Sequence, residues 1–181
     1  MSTAATTRFH AARISAMPAR RRESGQALVE FALVCLLLFV FLFAIIDFSR
    51  ALLLQQTLAS VSREGANLAS RGTSLPDTLQ AVVTSAQPLD LDTKGYVILT
   101  AVSADANGNL SITAQQSRGG SSASSRIGSL GGGANLPVQG LPSPNQTLYV
   151  AEVFAVYTPI TPLGAILGAA MPSVLYEVAF F

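Results

Sequence analysis

The chain contains no tryptophan, a single cysteine and a single histidine in 181 residues. With Cys35 alone, no disulfide can form within the chain, so an exported part must rely on packing or on neighbouring chains. His10 precedes the first long apolar run, and the region after that run has neither His nor Cys. It therefore lacks the commonest zinc ligands and general bases. Lys94 is the only lysine, and neither HExxH nor a glycine-rich phosphate loop with its lysine occurs. Serines are plentiful, but no histidine follows the apolar run to activate one as a nucleophile. These absences argue against an enzyme and against a cofactor. Asp105-Ala106-Asn107-Gly108-Asn109 begins like a calcium loop. Leu110 stands where such a loop needs glycine, and the later glutamate is missing, so a hairpin turn is expected there and no metal. Proline is absent between Pro18 and Pro76, and glycine in that interval occurs only at 25, 65 and 72. With so few breakers, one long helix is expected.

Charge is absent from Phe31 to Ile46, sixteen apolar residues in a row. Counted from Ala27, the stretch is twenty residues long, with Glu30 its only charge. In helical form it spans roughly 30 Å, the thickness of a bilayer's hydrocarbon core. Residues 1–25 carry five arginines against Glu23, whereas the rest carries six basic and nine acidic residues. Basic residues next to a spanning helix stay on the cytoplasmic side, so residues 1–25 are expected inside and everything after Ile46 across the membrane. Topology accounts for the arginines, and no nucleic-acid partner is expected. A removable secretory signal would be shorter and end in small residues, whereas here Ile45-Ile46-Asp47-Phe48 follows.

A carboxylate inside a membrane-length helix is costly and is a functional candidate by default. Two readings of Glu30 stay open on physics alone. In one, the helix is a permanent anchor, and Glu30 sits near the interface at the positive end of the helix dipole. The exported part is then a binding module that needs no cleavage. In the other, the chain is cut after Gly25, so that Gln26 becomes the first residue and Glu30 the fifth. Its carboxylate would then meet the free amine of a neighbouring subunit, offsetting the cost of burying both charges and fixing axial register.

Gly25-Gln26-Ala27-Leu28-Val29-Glu30-Phe31-Ala32-Leu33 resembles the start of TadE-like pseudopilins, minor subunits of the tight-adherence (Flp-type) pilus system. Ile46-Asp47-Phe48-Ser49-Arg50 and Ser62-Arg63-Glu64-Gly65-Ala66-Asn67 resemble that family's segments after the membrane. Val150 to Phe154 and Thr158 to Leu163 are similar more loosely. The resemblance implies cleavage at Gly25/Gln26 by a prepilin peptidase, with Glu30 and Phe31 in the recognised signal. It also implies partnership with pilin or pseudopilin subunits, the inner-membrane assembly platform and the lipid bilayer. The implied location is the bacterial inner membrane, single-pass with an extracytoplasmic C-terminal domain, or incorporation in an extracellular pilus. Many relatives have a proline within the apolar run, where this chain has Cys35-Leu36. Type IV and type II secretion pilins usually begin with phenylalanine after cleavage, which Gln26 does not match.

Beyond the membrane the helical pattern continues over 47–71, with Leu54, Leu58, Val61, Gly65 and Leu68 on one stripe. That stripe is expected to face the chain's own core. Asp47 and Arg50 are spaced to pair, and Gly72 to end the helix. Residues 76–181 are expected to form a small exported α+β domain, mostly antiparallel, packed on the long transmembrane and amphipathic helix. Its expected elements are a helix from Leu75 to about Ala86, then strands over 96–102, 110–114, 147–157 and 174–181. A short helix is expected from Pro162 to about Ala170. Ser117 to Gly133 holds six Gly and six Ser among seventeen residues, predicting a flexible loop over about 117–146. Phe180 and Phe181 fall on opposite faces of the last strand, which is expected to be central with both rings in the core; at an edge they would be exposed.

Overall fold

The computed structural model describes residues 20–137, 141–164 and 172–181. The fold is α+β, a long N-terminal apolar helix and a four-stranded antiparallel sheet. The chain divides into two compact units, Met1–Phe41 and Leu42–Phe181. Helix α1 (Arg20–Ser70) contributes to both. Residues 1–19 of the expected leader, 1–25, lie outside the described residues.

In the first unit α1 is uninterrupted, and its side chains from Gly25 to Phe41 are exposed apart from the half-exposed Cys35. Leucine, phenylalanine and valine here surround the helix on all sides, so no single face is left for water. In the second unit α1 turns amphipathic. Leu58 and Val61 are fully covered, and with Ala66 they pack against helix α2 (Leu75–Ser85) and the sheet. Leu54 joins the same cluster from its margin. The stripe read from the sequence thus faces the chain's own core from Leu54 to Gly65, while Leu68 at its end is half-buried. Gly72 ends the helix at φ 90°. Its N–H donates to Ala69 O and that of Thr73 to Leu68 O, the paired bonds that satisfy the last carbonyls of a helix stopped by a left-handed glycine. Ser74 then caps α2, its hydroxyl accepting from the Asp77 N–H, with Pro76 in the first turn.

The strands are β1 (Gly95–Ala104), β2 (Leu110–Gly119), β3 (Thr147–Val156) and β4 (Val174–Phe180), in the order β2-β1-β3-β4 and all antiparallel. A one-turn helix α3 (Leu91–Lys94), capped by Asp90, leads into β1. Both faces of the sheet are covered, so the central strands β1 and β3 are buried almost end to end. One face, with Val97, Leu99, Ala151 and Val153, meets α1 and α2. The other, with Val102, Ile112 and Val150, meets Ile127 and the margins of the long β2–β3 connection.

Three expectations need correcting. The last strand is an edge, not a central strand, with Phe180 half-buried and Phe181 47% exposed. The segment from Ser117 does not begin as a loop: β2 continues to Gly119, and Ile127 beyond it is buried at 4% exposure. Asp47 forms no ion pair with Arg50 among the described residues, because its carboxyl group is engaged elsewhere. The helix expected from Pro162 to Ala170 lies largely outside the described residues, and only its first turn, at 161–164, is seen.

Candidate functional site

Gly25, Gln26, Glu30 and Phe31 all lie within α1, in the first unit, and all are exposed. Space around Gly25 is open, with nothing within 4 Å of where a Cβ would stand. Gln26 and Glu30 are four apart, so they occupy one face of the helix, about one turn from each other. Phe31 opens the uncharged run.

In the second unit, Asp47 is the first polar residue after that run, and it is fully buried. Its Oδ1 accepts from the Ile160 N–H at 3.0 Å and the Thr161 N–H at 3.4 Å. Its Oδ2 accepts from the Thr161 hydroxyl at 2.5 Å, and the Tyr157 hydroxyl donates to the Asp47 carbonyl at 2.6 Å. Desolvation pushes the Asp47 carboxyl up, but the bonds from Thr161 and Ile160, with the Arg50 charge, outweigh it and hold it below the ordinary carboxylate range. Burial, then the Asp47 charge, raises the Tyr157 hydroxyl. The junction fastens α1 to the chain just past β3. Sequence reasoning missed it because the partners lie more than a hundred positions apart.

A second buried acid, Glu152 on β3, organises the opposite face of the sheet. Its carboxyl group accepts from the Ser125 hydroxyl, from the Arg126 N–H at 2.8 Å and from the Tyr176 hydroxyl at 3.1 Å. Ser125 in turn accepts from the N–H groups of Ile127 and Gly128. The Arg126 guanidinium stands 3.9 Å from the centre of the Tyr176 ring, a cation–π contact. Burial and the neighbouring Glu152 push the Tyr176 hydroxyl well above its usual value. All of these bonds stay within the chain, so the cluster anchors the Gly/Ser-rich connection. Asp105 is likewise spent on its own turn, accepting from the backbone of Asn107 and Asn109 and from the Asn109 side chain.

These arrangements describe a membrane-type helix carrying a small sheet unit, with a carboxyl group near the start of its apolar run. Among the described residues α1 alone is long and apolar enough to cross a bilayer. Residues 25–67 match the family described as TadE-like protein. The match begins at Gly25, in agreement with the resemblance carried by Gly25 to Leu33, and is consistent with a protein of the tight-adherence pilus system. It ends inside α1, so it covers the helix and none of the sheet. No curated protein and no solved structure matches the chain.

Proposed function

We propose that this chain is a minor pilin-like structural subunit, processed by a prepilin peptidase after Gly25 and acting in assembly or priming of a tight-adherence type pilus. The single observation that supports this reading is the TadE-like match opening at Gly25, with Glu30 five residues on. In this reading the basic leader stays cytoplasmic, α1 spans the inner membrane, and the sheet unit is extracytoplasmic. Chemistry is done to the chain and not by it. Glu30 meets the amine of a neighbouring subunit's Gln26, and the uncharged run packs against other pilin helices or lipid.

Replacing Glu30 by glutamine keeps shape and removes the charge. The Glu30→Gln chain is expected to reach the membrane fraction as the wild type does, but to lose co-isolation with pilin subunits and the assembly platform. Truncating one side of a buried charge pair costs about 2 kcal/mol or more, roughly thirtyfold in association. Undiminished co-isolation would contradict the role given to Glu30 and favour an uncleaved, membrane-anchored binding module.

A further inference from the structure

A groove of about 520 Å³ opens in the second unit where α1 leaves its apolar run. Leu53 and Arg50 form its helix wall, Leu89 and Lys94 come from the segment before β1, and Ile160 closes it from the chain after β3. Leu53 and Ile160 are each 63% exposed. Large aliphatic side chains so open to water are unusual when grouped around one opening. The position of Ile160 is not free: its N–H is bonded to Asp47, one residue past the last apolar one, and the adjacent Thr161 hydroxyl is bonded there too. Phe48, also exposed, lies next to that junction on α1. An apolar rim is thereby fixed at the level of the helix where an outer headgroup layer would begin.

The charges on the rim suit the same occupant. Arg50 and Lys94 both line the groove, and neither is in an ion pair among the described residues. The Asp47 carboxyl group near Arg50 is taken by Ile160 and Thr161. Asp90, the acid that lines the groove, accepts from the Thr93 N–H and hydroxyl at the start of α3. Two cations over an aliphatic floor match a lipid phosphate above its acyl chains.

We propose that this end of the sheet unit docks on the bilayer, with Phe48 and Ile160 in the acyl boundary, Arg50 and Lys94 on phospholipid phosphates, and Leu53 one helical turn farther out at the headgroup level. The inference rests on α1 spanning the membrane. Docking would limit how freely the sheet unit swings about the helix and so fix which sides of it meet other subunits.

The absence of tryptophan makes the test clean. Single tryptophans are placed in the full chain at Leu37, Leu53, Ile160 and Asn107, in vesicles of phosphatidylcholine and phosphatidylglycerol brominated near the glycerol end of the acyl chains, with the mid-span Leu37→Trp read in matching vesicles brominated near the methyl end. Asn107 lies at the far end of the sheet, beyond the Ser103–Thr147 pairing, whereas Gly95 pairs with Ala155 at the groove end. Ile160→Trp is expected to emit to the blue of Asn107→Trp and to be quenched at least twofold more, with Leu53→Trp between the two. The difference should shrink in vesicles without phosphatidylglycerol. Ile160→Trp and Leu53→Trp no more quenched than Asn107→Trp, with Leu37→Trp quenched, would overturn the docking and leave the span intact. A blue-shifted but unquenched Ile160→Trp would also overturn it, since another protein surface would then fill the groove. An unquenched Leu37→Trp would bring down the span reading itself.

Discussion

Glu152→Ala is expected to unfasten the β2–β3 connection and destabilise the sheet unit by about 2–4 kcal/mol. The substitution removes the acceptor for Ser125, for the Arg126 N–H and for Tyr176 at once. Each donor left without a partner in a covered site costs about 1–3 kcal/mol, less what water recovers on entering. Ile127 lies directly after these anchors and is buried against Val102, Ile112 and Val150, so loss of the anchor also opens that small apolar cluster. Amide hydrogen exchange on the full chain in detergent checks this. Arg126, Ile127 and Gly128 should lose protection first, and the centres of β1 and β3 should follow by a smaller factor. Glu152→Gln, which keeps one acceptor oxygen, should fall between alanine and wild type. Unchanged protection at Arg126 in the alanine variant would mean that the connection is held by something other than this carboxyl group.

Gly65→Val is the second large effect. A Cβ at Gly65 would stand 2.8 Å from Val82 Cγ2, with Ala151 Cβ at 3.5 Å and Leu99 Cδ2 at 3.6 Å. Val82 is itself fully buried, so it cannot turn outward to make room, and α2 must move away from α1. Overpacking of this kind costs about 1–3 kcal/mol. For Gly65→Ala the same clash is opposed by a gain of about 1 kcal/mol in helix propensity, so a net change near zero is expected. The clash also predicts coupling: Val82→Ala should cost less in the Gly65→Val background than alone. Thermal melts of the four chains test this, and strict additivity would show that Gly65 is tolerated and not required for the approach of α2.

Particular residues show how far the sequence could be read. The stripe Leu54, Leu58, Val61 and Gly65, the stop at Gly72 and the strands around Val97 to Val102 and Thr147 to Tyr157 follow from local periodicity and turn chemistry, and the structure has them. The proposed site residues Gly25, Gln26, Glu30 and Phe31 sit in one short motif, which the TadE-like match spans. What was hidden depends on distant partners. Asp47 was assigned to Arg50, three residues away, whereas its donors lie 113 and 114 positions on. Glu152 falls on the same strand face as Leu148, Val150, Phe154 and Val156. An acid within an apolar face was the available signal that something polar covers it. The composition of Ser117 to Gly133 correctly described a stretch poor in apolar residues, but it could not say that Glu152 would hold it. Strand order was hidden for the same reason, since the long connections set it and β4 came out as an edge. The single turn of α3 has no period to detect, and Asp90 as its cap is the only trace it leaves in sequence.

The central claim concerns Gly25, and the N-terminus of the membrane-extracted protein tests it most directly. Intact-mass and N-terminal peptide measurements should find a chain that begins at Gln26 in cells with a prepilin peptidase. The same measurement on Gly25→Leu should find the leader retained. A wild-type chain that keeps residues 1–25 in such cells, apart from its first methionine, would contradict the account and reduce 27–46 to an ordinary anchor.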